Sequence, residues 1–391
     1  MSEWKIVRLS DLAIIKYGKN QKKVQSEEGT VPIYGTGGLM GYASEALYEK
    51  ESVLIGRKGT IDKIRYVNFP FWTVDTLFYT IINENKIVPK FLYYNLCTVD
   101  FMKMNEGTTI PSLRTETLNK MELSIPDMQT QKQIVSILSA LDDKIKLNNK
   151  INENLESQAQ AIFKSWFVDF EPFGGVMPED WKIGSLSDIA DFQNGYAFKS
   201  KELLNKKNEN CYDVFKQGHI NRGGGFNIDG TKSWYPTLNC TKLSKYILKK
   251  SDVLMAMTDM KDNVAILGNT AIMPIDDKYI LNQRVGLLRS KGLYSINNYY
   301  IYLLTNNFEF LEDLRSRANS GVQVNLSADA IKSSQVVIAS DIINKKFCAI
   351  AKSLIEKYMF NQLENQRLAQ LRDTLLPKLM NGEIDVSEVK I

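Results

Sequence analysis

The chain has 391 residues, 44% hydrophobic and 10% aromatic, which supplies material for more than one packed core and argues against disorder. Its net charge of +4 is too small a surplus to grip a polyanion by charge neutralisation alone. With one histidine, four scattered cysteines (Cys97, Cys211, Cys240, Cys348) read as free buried thiols, and no run of about 18 apolar residues, the sequence speaks against a conventional zinc site, a disulfide framework and a membrane span.

In chain order, Met1-Ser2-Glu3-Trp4-Lys5-Ile6 lacks the apolar stretch of a secretory signal, so a cytoplasmic protein is expected. Residues 1–125 read as a first domain of short apolar runs between Gly, Asn and Asp turns, such as Ser52-Val53-Leu54-Ile55-Gly56. Within it, Arg57 and Lys58 lie between Gly56 and Gly59-Thr60, where a backbone can approach a phosphate closely. Arg57 could instead read guanine, and the plain alternative is a hairpin turn with solvated charges. Thr108, Thr109, Ser112 and Arg114 make a second polar loop.

Residues 126–173 predict a long helix. Leu138, Leu141, Ile145, Asn148, Asn152, Leu155, Ala159 and Ile162 advance by threes and fours, the spacing of a coiled-coil seam. Asp142-Asp143 read as solvated charges on its flank. Trp166, Phe167 and Phe170 close it with an aromatic cluster that either packs internally or docks a partner.

Residues 174–340 repeat the first domain. Trp4-Lys5-Ile6, Leu9-Ser10-Asp11, Ala13 and Gly18 recur as Trp181-Lys182-Ile183, Leu186-Ser187-Asp188, Ala190 and Gly195, a constant shift of 177. Farther on the shift is 213: Leu113 meets Leu326, and Ile125 meets Ile338. The second copy therefore carries insertions. It has no Gly-Arg-Lys-Gly segment, offering Met255-Ala256-Met257-Thr258-Asp259-Met260 instead. Asn221-Arg222-Gly223-Gly224-Gly225 reads as a flexible basic loop, and Asn282-Gln283-Arg284 lies beside a strand-like run as another candidate. Gly321-Val322-Gln323-Val324-Asn325 is the counterpart of the polar loop; Gln323 and Asn325 carry amides suited to adenine. The cationic excess is two in residues 1–125 and three in residues 174–340.

Residues 341–391 predict a second long helix and a tail. Leu354, Tyr358, Asn361, Asn365, Leu368, Arg372 and Leu375 keep the seam, with Arg372 departing from its apolar pattern and Pro377 closing the helix. The expected class is α+β: two similar mixed α/β domains separated by two long helices, pairing as an antiparallel coiled coil with pseudo-twofold symmetry. Roughly 36 residues would make each rod ~54 Å long. Asn148, Asn152, Asn361 and Asn365 at mid-seam either fix its register at some cost in packing or, if exposed, merely interrupt a surface stripe. Catalytic machinery is missing: there is no GxxxxGK[ST] loop, no glycine-rich cofactor loop after a strand and no Asn-Pro-Pro-aromatic tetrapeptide. His219 reads as a structural or surface residue. No bond-making chemistry is expected.

Four segments, in order on this repeat, carry a resemblance over essentially the whole chain. They are Gly56-Arg57-Lys58-Gly59-Thr60-Ile61, Gly107-Thr108-Thr109-Ile110-Pro111-Ser112-Leu113, Ala161 through Phe173 (with Ser165-Trp166-Phe167-Val168-Asp169-Phe170) and Leu371-Arg372-Asp373-Thr374-Leu375-Leu376-Pro377-Lys378-Leu379. The chain resembles the specificity subunit of type I restriction–modification enzymes. The resemblance implies heads that each read one half of a split double-stranded DNA target, and helices that set the gap and dock two methyltransferase subunits. Restriction and translocase subunits would join the same core. S-adenosylmethionine, ATP and Mg2+ would be held by those partners and no cofactor by this chain, in a prokaryotic cytoplasm. Departures are Gln131-Lys132-Gln133 after Ile125-Pro126, and Ile338-Ala339-Ser340-Asp341 without proline in the second copy. Two other readings remain open at this point: the specificity half of a fused enzyme with catalysis on another chain, and a non-catalytic coiled-coil adaptor for proteins.

Overall fold

In the computed structural model, residues 4–239, 241–260, 264–319 and 323–389 are described, so Cys240, Gly321 and Val322 lie outside the described residues. The chain divides into two units, Met1–Ile145 with Arg367–Ile391, and Lys146–Gln366. Each unit combines one head with part of both long helices.

The first unit is built from β1 (Lys5–Arg8), α1 (Leu9–Leu12), β2 (Ala13–Tyr17), β3 (Val31–Gly35), β4 (Gly38–Ala43), β5 (Ser52–Gly56), β6 (Arg65–Val67), β7 (Trp72–Thr73), β8 (Leu77–Ile82), α2 (Pro89–Cys97), α3 (Thr115–Asn119) and β9 (Glu122–Ile125). The chain then enters α4 (Met128–Phe167). One sheet has the order β2-β8-β5-β6, a second β4-β3-β7, and β1 pairs with β9. Every residue of β5 is buried, because it lies between β8 and β6 with both faces covered. That is why it reads as an unbroken apolar run instead of alternating.

The second unit continues with β10 (Lys182–Ser185), α5 (Leu186–Ile189), β11 (Ala190–Asn194), β12 (Cys211–Phe215), β13 (Trp234–Pro236), β14 (Val253–Ala256), β15 (Thr258–Met260), β16 (Thr270–Ile272), β17 (Tyr279–Leu281) and β18 (Val285–Ser290). After these come α6 (Asn298–Thr305), α7 (Phe308–Ser316), β19 (Gln323–Asn325), α8 (Ala328–Lys332), β20 (Gln335–Ile338) and α9 (Asp341–Met380). Its sheets β11-β18-β14-β16 and β13-β12-β17, with the pair β10-β20, reproduce the first unit strand for strand. Register agrees too: Lys5 faces Ile125 and Lys182 faces Ile338. Much of the insertion falls between β12 and β14, where residues 216–252 stand for residues 36–51.

The long helices are 40 residues each, about 60 Å. Asp127 starts α4: its carboxylate accepts the N–H groups of Gln129 and Thr130, which also holds it below the usual carboxylate range. The helix stops at Phe167, short of the expected 173, because Phe170 turns into the left-handed region (φ 54°) and Gly174 and Gly175 follow it there. The other end departs from expectation in the opposite sense. Pro377 does not close α9, which runs on to Met380. Leu379 and Met380 are 1% and 5% exposed in the first unit's core, and that burial offsets the one hydrogen bond the proline removes.

Inside the first unit, Ile134 and Leu138 of α4 and Leu379 and Met380 of α9 share the core with Leu9, Ile55, Phe78 and Phe91. Inside the second, Ala159, Phe163 and Phe167 meet Phe347, Ala351 and Ile355 among Leu186, Val253 and Tyr300. The helices run antiparallel in both, with Asp142 opposite Arg372 in the first and Asn152 opposite Asn361 in the second. Asp142 is thus no solvated flank charge. It pairs with Arg372 at 2.9 Å and accepts the Tyr94 hydroxyl at 2.6 Å, which explains the departure of Arg372 from the apolar pattern. The cysteines also correct the expectation of buried thiols: Cys348 is buried, Cys211 half-buried and Cys97 exposed.

Candidate nucleic-acid interface

The segment after β5 and the polar loop ahead of α3 are far apart in sequence and joined in space. Gly59 N–H donates to the Pro111 carbonyl at 2.8 Å, Leu113 N–H donates to the Arg57 carbonyl at 2.9 Å, and Lys58 bridges Ser112. Only glycine fits at two points of this junction. A Cβ on Gly56 would lie 2.3 Å from the Thr60 carbonyl oxygen, and one on Gly107 1.9 Å from that of Ile110. Asn105 braces the polar loop by accepting the N–H groups of Gly107 and Ser112 at 2.8 and 2.9 Å. Arg114 pairs with Glu106 at 3.0 Å, and Glu106 also accepts the Thr117 hydroxyl. Arg57, Lys58, Gly59, Thr60, Thr108, Thr109, Ser112 and Arg114 therefore form one surface, with Lys58, Thr108, Thr109 and Arg114 exposed on it. Arg57 is held in place: its guanidinium lies 5.2 Å from the Tyr17 ring centre and donates to the Asp75 carbonyl at 2.7 Å.

The second unit repeats this junction with other side chains. Leu326 N–H donates to the Met257 carbonyl at 2.9 Å, and Asn319 N–H donates to the Asn325 carbonyl as Glu106 does to Ser112. Thr258 faces Asn325, where Lys58 faces Ser112. Met257 and Thr258 thus replace Arg57 and Lys58, and Met257 is buried. The cation moves to the neighbouring strand. Arg284, whose carbonyl accepts Met257 N–H just as Thr76 accepts Arg57 N–H, is exposed at the entrance to β18. It lines a cleft of about 500 Å3 with Lys216, Gln217, Thr258, Asp259 and Gln323. Gln217 fixes one wall, its amide donating to the Thr258 carbonyl at 2.6 Å and accepting the Thr258 hydroxyl at 2.7 Å. The cleft's Asp259 is occupied by the N–H groups of Met260, Ile266 and Leu267.

Lys216, Gln217 and Thr258 are absent from the sequence-based set. By strand register Lys216 and Gln217 stand where Gly35 and Thr36 do, and Thr258 where Lys58 does, so the repeat carried the signal once its strands were matched. Gln283 is exposed beside Arg284 but does not line the cleft, and Asn325 pairs its amide with the Gln323 carbonyl. Asn221 and Arg222 lie elsewhere on the unit. Their loop is braced, not flexible. Gly223, Gly224 and Gly225 all have left-handed φ, Gly223 N–H reaches Asn269, and Gly225 N–H reaches the Thr270 carbonyl.

The seam asparagines form a ladder. Asn148 donates to Asn365 at 2.9 Å and to Glu364 at 2.6 Å, Asn361 donates to Asn152 at 2.8 Å, and Asn152 donates to the Tyr358 carbonyl at 3.2 Å. Asn148, Asn152 and Asn361 are buried. Of the aromatic cluster, Phe167 is 3% exposed, with ring centres of Phe347 and Tyr300 at 4.8 and 5.0 Å; a ring so enclosed offers no docking face, which removes it from that reading. Trp166 packs on Phe173 and Phe347, and Phe170 on Trp181. His219 is buried against Phe215 and Phe226 with its Nδ1 accepting Lys216 N–H, and burial pushes its pKa down. No cluster of metal-ligating side chains occurs among the described residues, nor any helix long and apolar enough to cross a membrane.

Comparison with known proteins agrees with this duplicated architecture. The profile of the type I restriction modification DNA specificity domain matches twice, over residues 1–157 and 178–372. The chain is 26% identical over 369 residues to the type I restriction enzyme MjaIX specificity subunit of Methanocaldococcus jannaschii, covering 88% of this chain and 80% of that one. It is 27% identical to the HindI specificity subunit of Haemophilus influenzae, covering 77% and 79%. The crystal structure of the S subunit of the type I restriction–modification system from M. genitalium shares the fold, with a TM-score of 0.66 at 19% identity over 97% of this chain and 96% of that one. The chain belongs to the type I restriction–modification DNA specificity family.

Proposed function

We propose that this chain selects the DNA sequence for a type I restriction–modification assembly, each head reading one half of a two-part target. The observation that carries the reading is the duplicated junction, Lys58 beside Ser112 in one head and Thr258 beside Asn325 in the other. One backbone geometry presents a stacked arginine in the first head and, in the second, a cleft with Arg284 and Gln323. Two different surfaces on one scaffold suit two different half-sequences. The paired helices set the gap between the halves and dock two methyltransferase subunits, which restriction and translocase subunits join. With a net charge of +4, this chain leaves much of the phosphate contact to those partners. S-adenosylmethionine, ATP and Mg2+ are bound by the partners, in a prokaryotic cytoplasm, and this chain makes and breaks no bonds.

The test is genome-wide mapping of methylated bases in cells expressing the chain with a type I methyltransferase subunit. A split motif with a constant gap is expected. Replacing residues 1–125 by another family member's head should change one half and leave the other. Methylation at a continuous motif, or a head exchange that alters both halves together, would overturn the reading.

A further inference from the structure

The seam between α4 and α9 repeats its asparagine contact but not its ion pair. The offset that carries Asn148 onto Asn361 and Asn152 onto Asn365 turns the Asn148–Asn365 contact into the Asn361–Asn152 contact. Applied to the Asp142–Arg372 ion pair of the first unit, the same offset gives Ile355 and Ala159, which are 0% and 1% exposed in the second unit's core. The two equivalent places along the seam are therefore filled by an ion pair and by an apolar pair.

This difference bears on which helices can pair. Two copies of α4 in the same antiparallel register would keep asparagine opposite asparagine, but would set Asp142 against Ala159 at both ends. Two copies of α9 would set Arg372 against Ile355 at both ends. Either like-with-like pairing takes a partly buried charge from its countercharge; the Asp142 and Arg372 side chains are 25% and 32% exposed. Asp142 would keep the Tyr94 hydroxyl and Arg372 its neighbour Asp373, so the discrimination is graded, not absolute.

We propose that the Asp142–Arg372 pair makes the two helices mutually selective, so that the seam accepts the unlike helix and disfavours a second copy of the same one. The asparagine-to-asparagine contact alone cannot do this, because it is the same in every combination; the Asn148–Glu364 bond would be lost in a pair of α4 helices, where Ile151 takes the place of Glu364, and kept in a pair of α9 helices. Selection here works by what the wrong partner would leave unpaired. The inference does not depend on which DNA sequence is read.

The test uses the full chain with a protease site placed between Gly174 and Gly175, which have left-handed φ and open space where a side chain would point. The folded protein is cleaved, held in mild denaturant so that fragments exchange, and weighed by native mass spectrometry. Unlike dimers are expected to exceed like dimers by about ten-fold or more. With Asp142→Ala and Arg372→Met together, like dimers should rise towards roughly half of all dimers, the statistical share. Exchanging the charges, Asp142→Arg with Arg372→Asp, should restore the preference for unlike pairs, and serves as the deciding variant if the neutral one does not fold. Statistical pairing of the unaltered fragments, or statistical pairing of the charge-exchanged ones, overturns the proposal.

Discussion

Asn361 shows how much one side chain in the seam is asked to do. It is fully buried, its Nδ2 donates to Asn152, and its own Oδ1 has no hydrogen-bond partner. Asn361→Leu would leave the Asn152 carbonyl oxygen buried without that donor, at a cost of about 1–3 kcal/mol. Asn152→Leu with Asn361→Leu removes both partners and should recover most of the loss. Chemical denaturation of the three proteins checks this, and a double variant no more stable than the single one would count against the ladder. These asparagines were legible in the sequence because they interrupt an apolar period at matched positions. Asp142 was not. Its acidic neighbour Asp143 and its place on a helix flank look like solvent exposure, and nothing local reveals that Arg372, 230 residues away, comes to meet it.

Among the elements, the paired segments that open and close each head were the easiest to foresee. Trp4 to Gly18 and its copy are short, local, and carry no insertions, so letter identity survives alongside backbone identity. The junction after β5 was half legible. Glycines crowding Arg57 and Lys58 announce a close turn, whereas Thr258 and Arg284 become its counterpart only after strand pairing has matched β14 to β5 and β18 to β8. The end of α9 was not legible, because Pro377 signals a stop locally while the tertiary contacts of Leu379 and Met380, far away in sequence from the core they enter, carry the helix past it. Local preference still has a cost there. Pro377→Ala would restore the missing N–H within the last turns of α9 and should stabilise the protein by about 1 kcal/mol or more. A raised midpoint in thermal unfolding checks this; a lowered one would mean that the proline ring itself packs usefully against the first unit.

For the whole molecule, the widest consequence comes from the segments at the C-terminal ends of the two long helices. After α4, the chain turns through Phe170 and Phe173, whose rings pack on Trp181 at 6.0 and 4.8 Å. After α9 it turns at Gly382, where a Cβ would lie 2.7 Å from the Trp4 indole nitrogen, and the Gln133 amide donates to the carbonyls of Ser387 and Val389 at 3.3 and 2.9 Å. Trp4 is the counterpart of Trp181, so each head has its tryptophan against the segment that trails a long helix. In the first head that segment belongs to the far end of the sequence. The order of elements is therefore cyclic: head, helix, head, helix, and back to the first head, through two joints alike in geometry. A gene that joins Val389 to Trp4 through a short flexible linker and begins at Gly175 is expected to give a folded protein whose thermal midpoint lies within a few degrees of the original. Unfolding followed by circular dichroism measures this. A permuted chain that is insoluble or loses its cooperative transition would mean that the two joints, alike in geometry, differ in what they hold together.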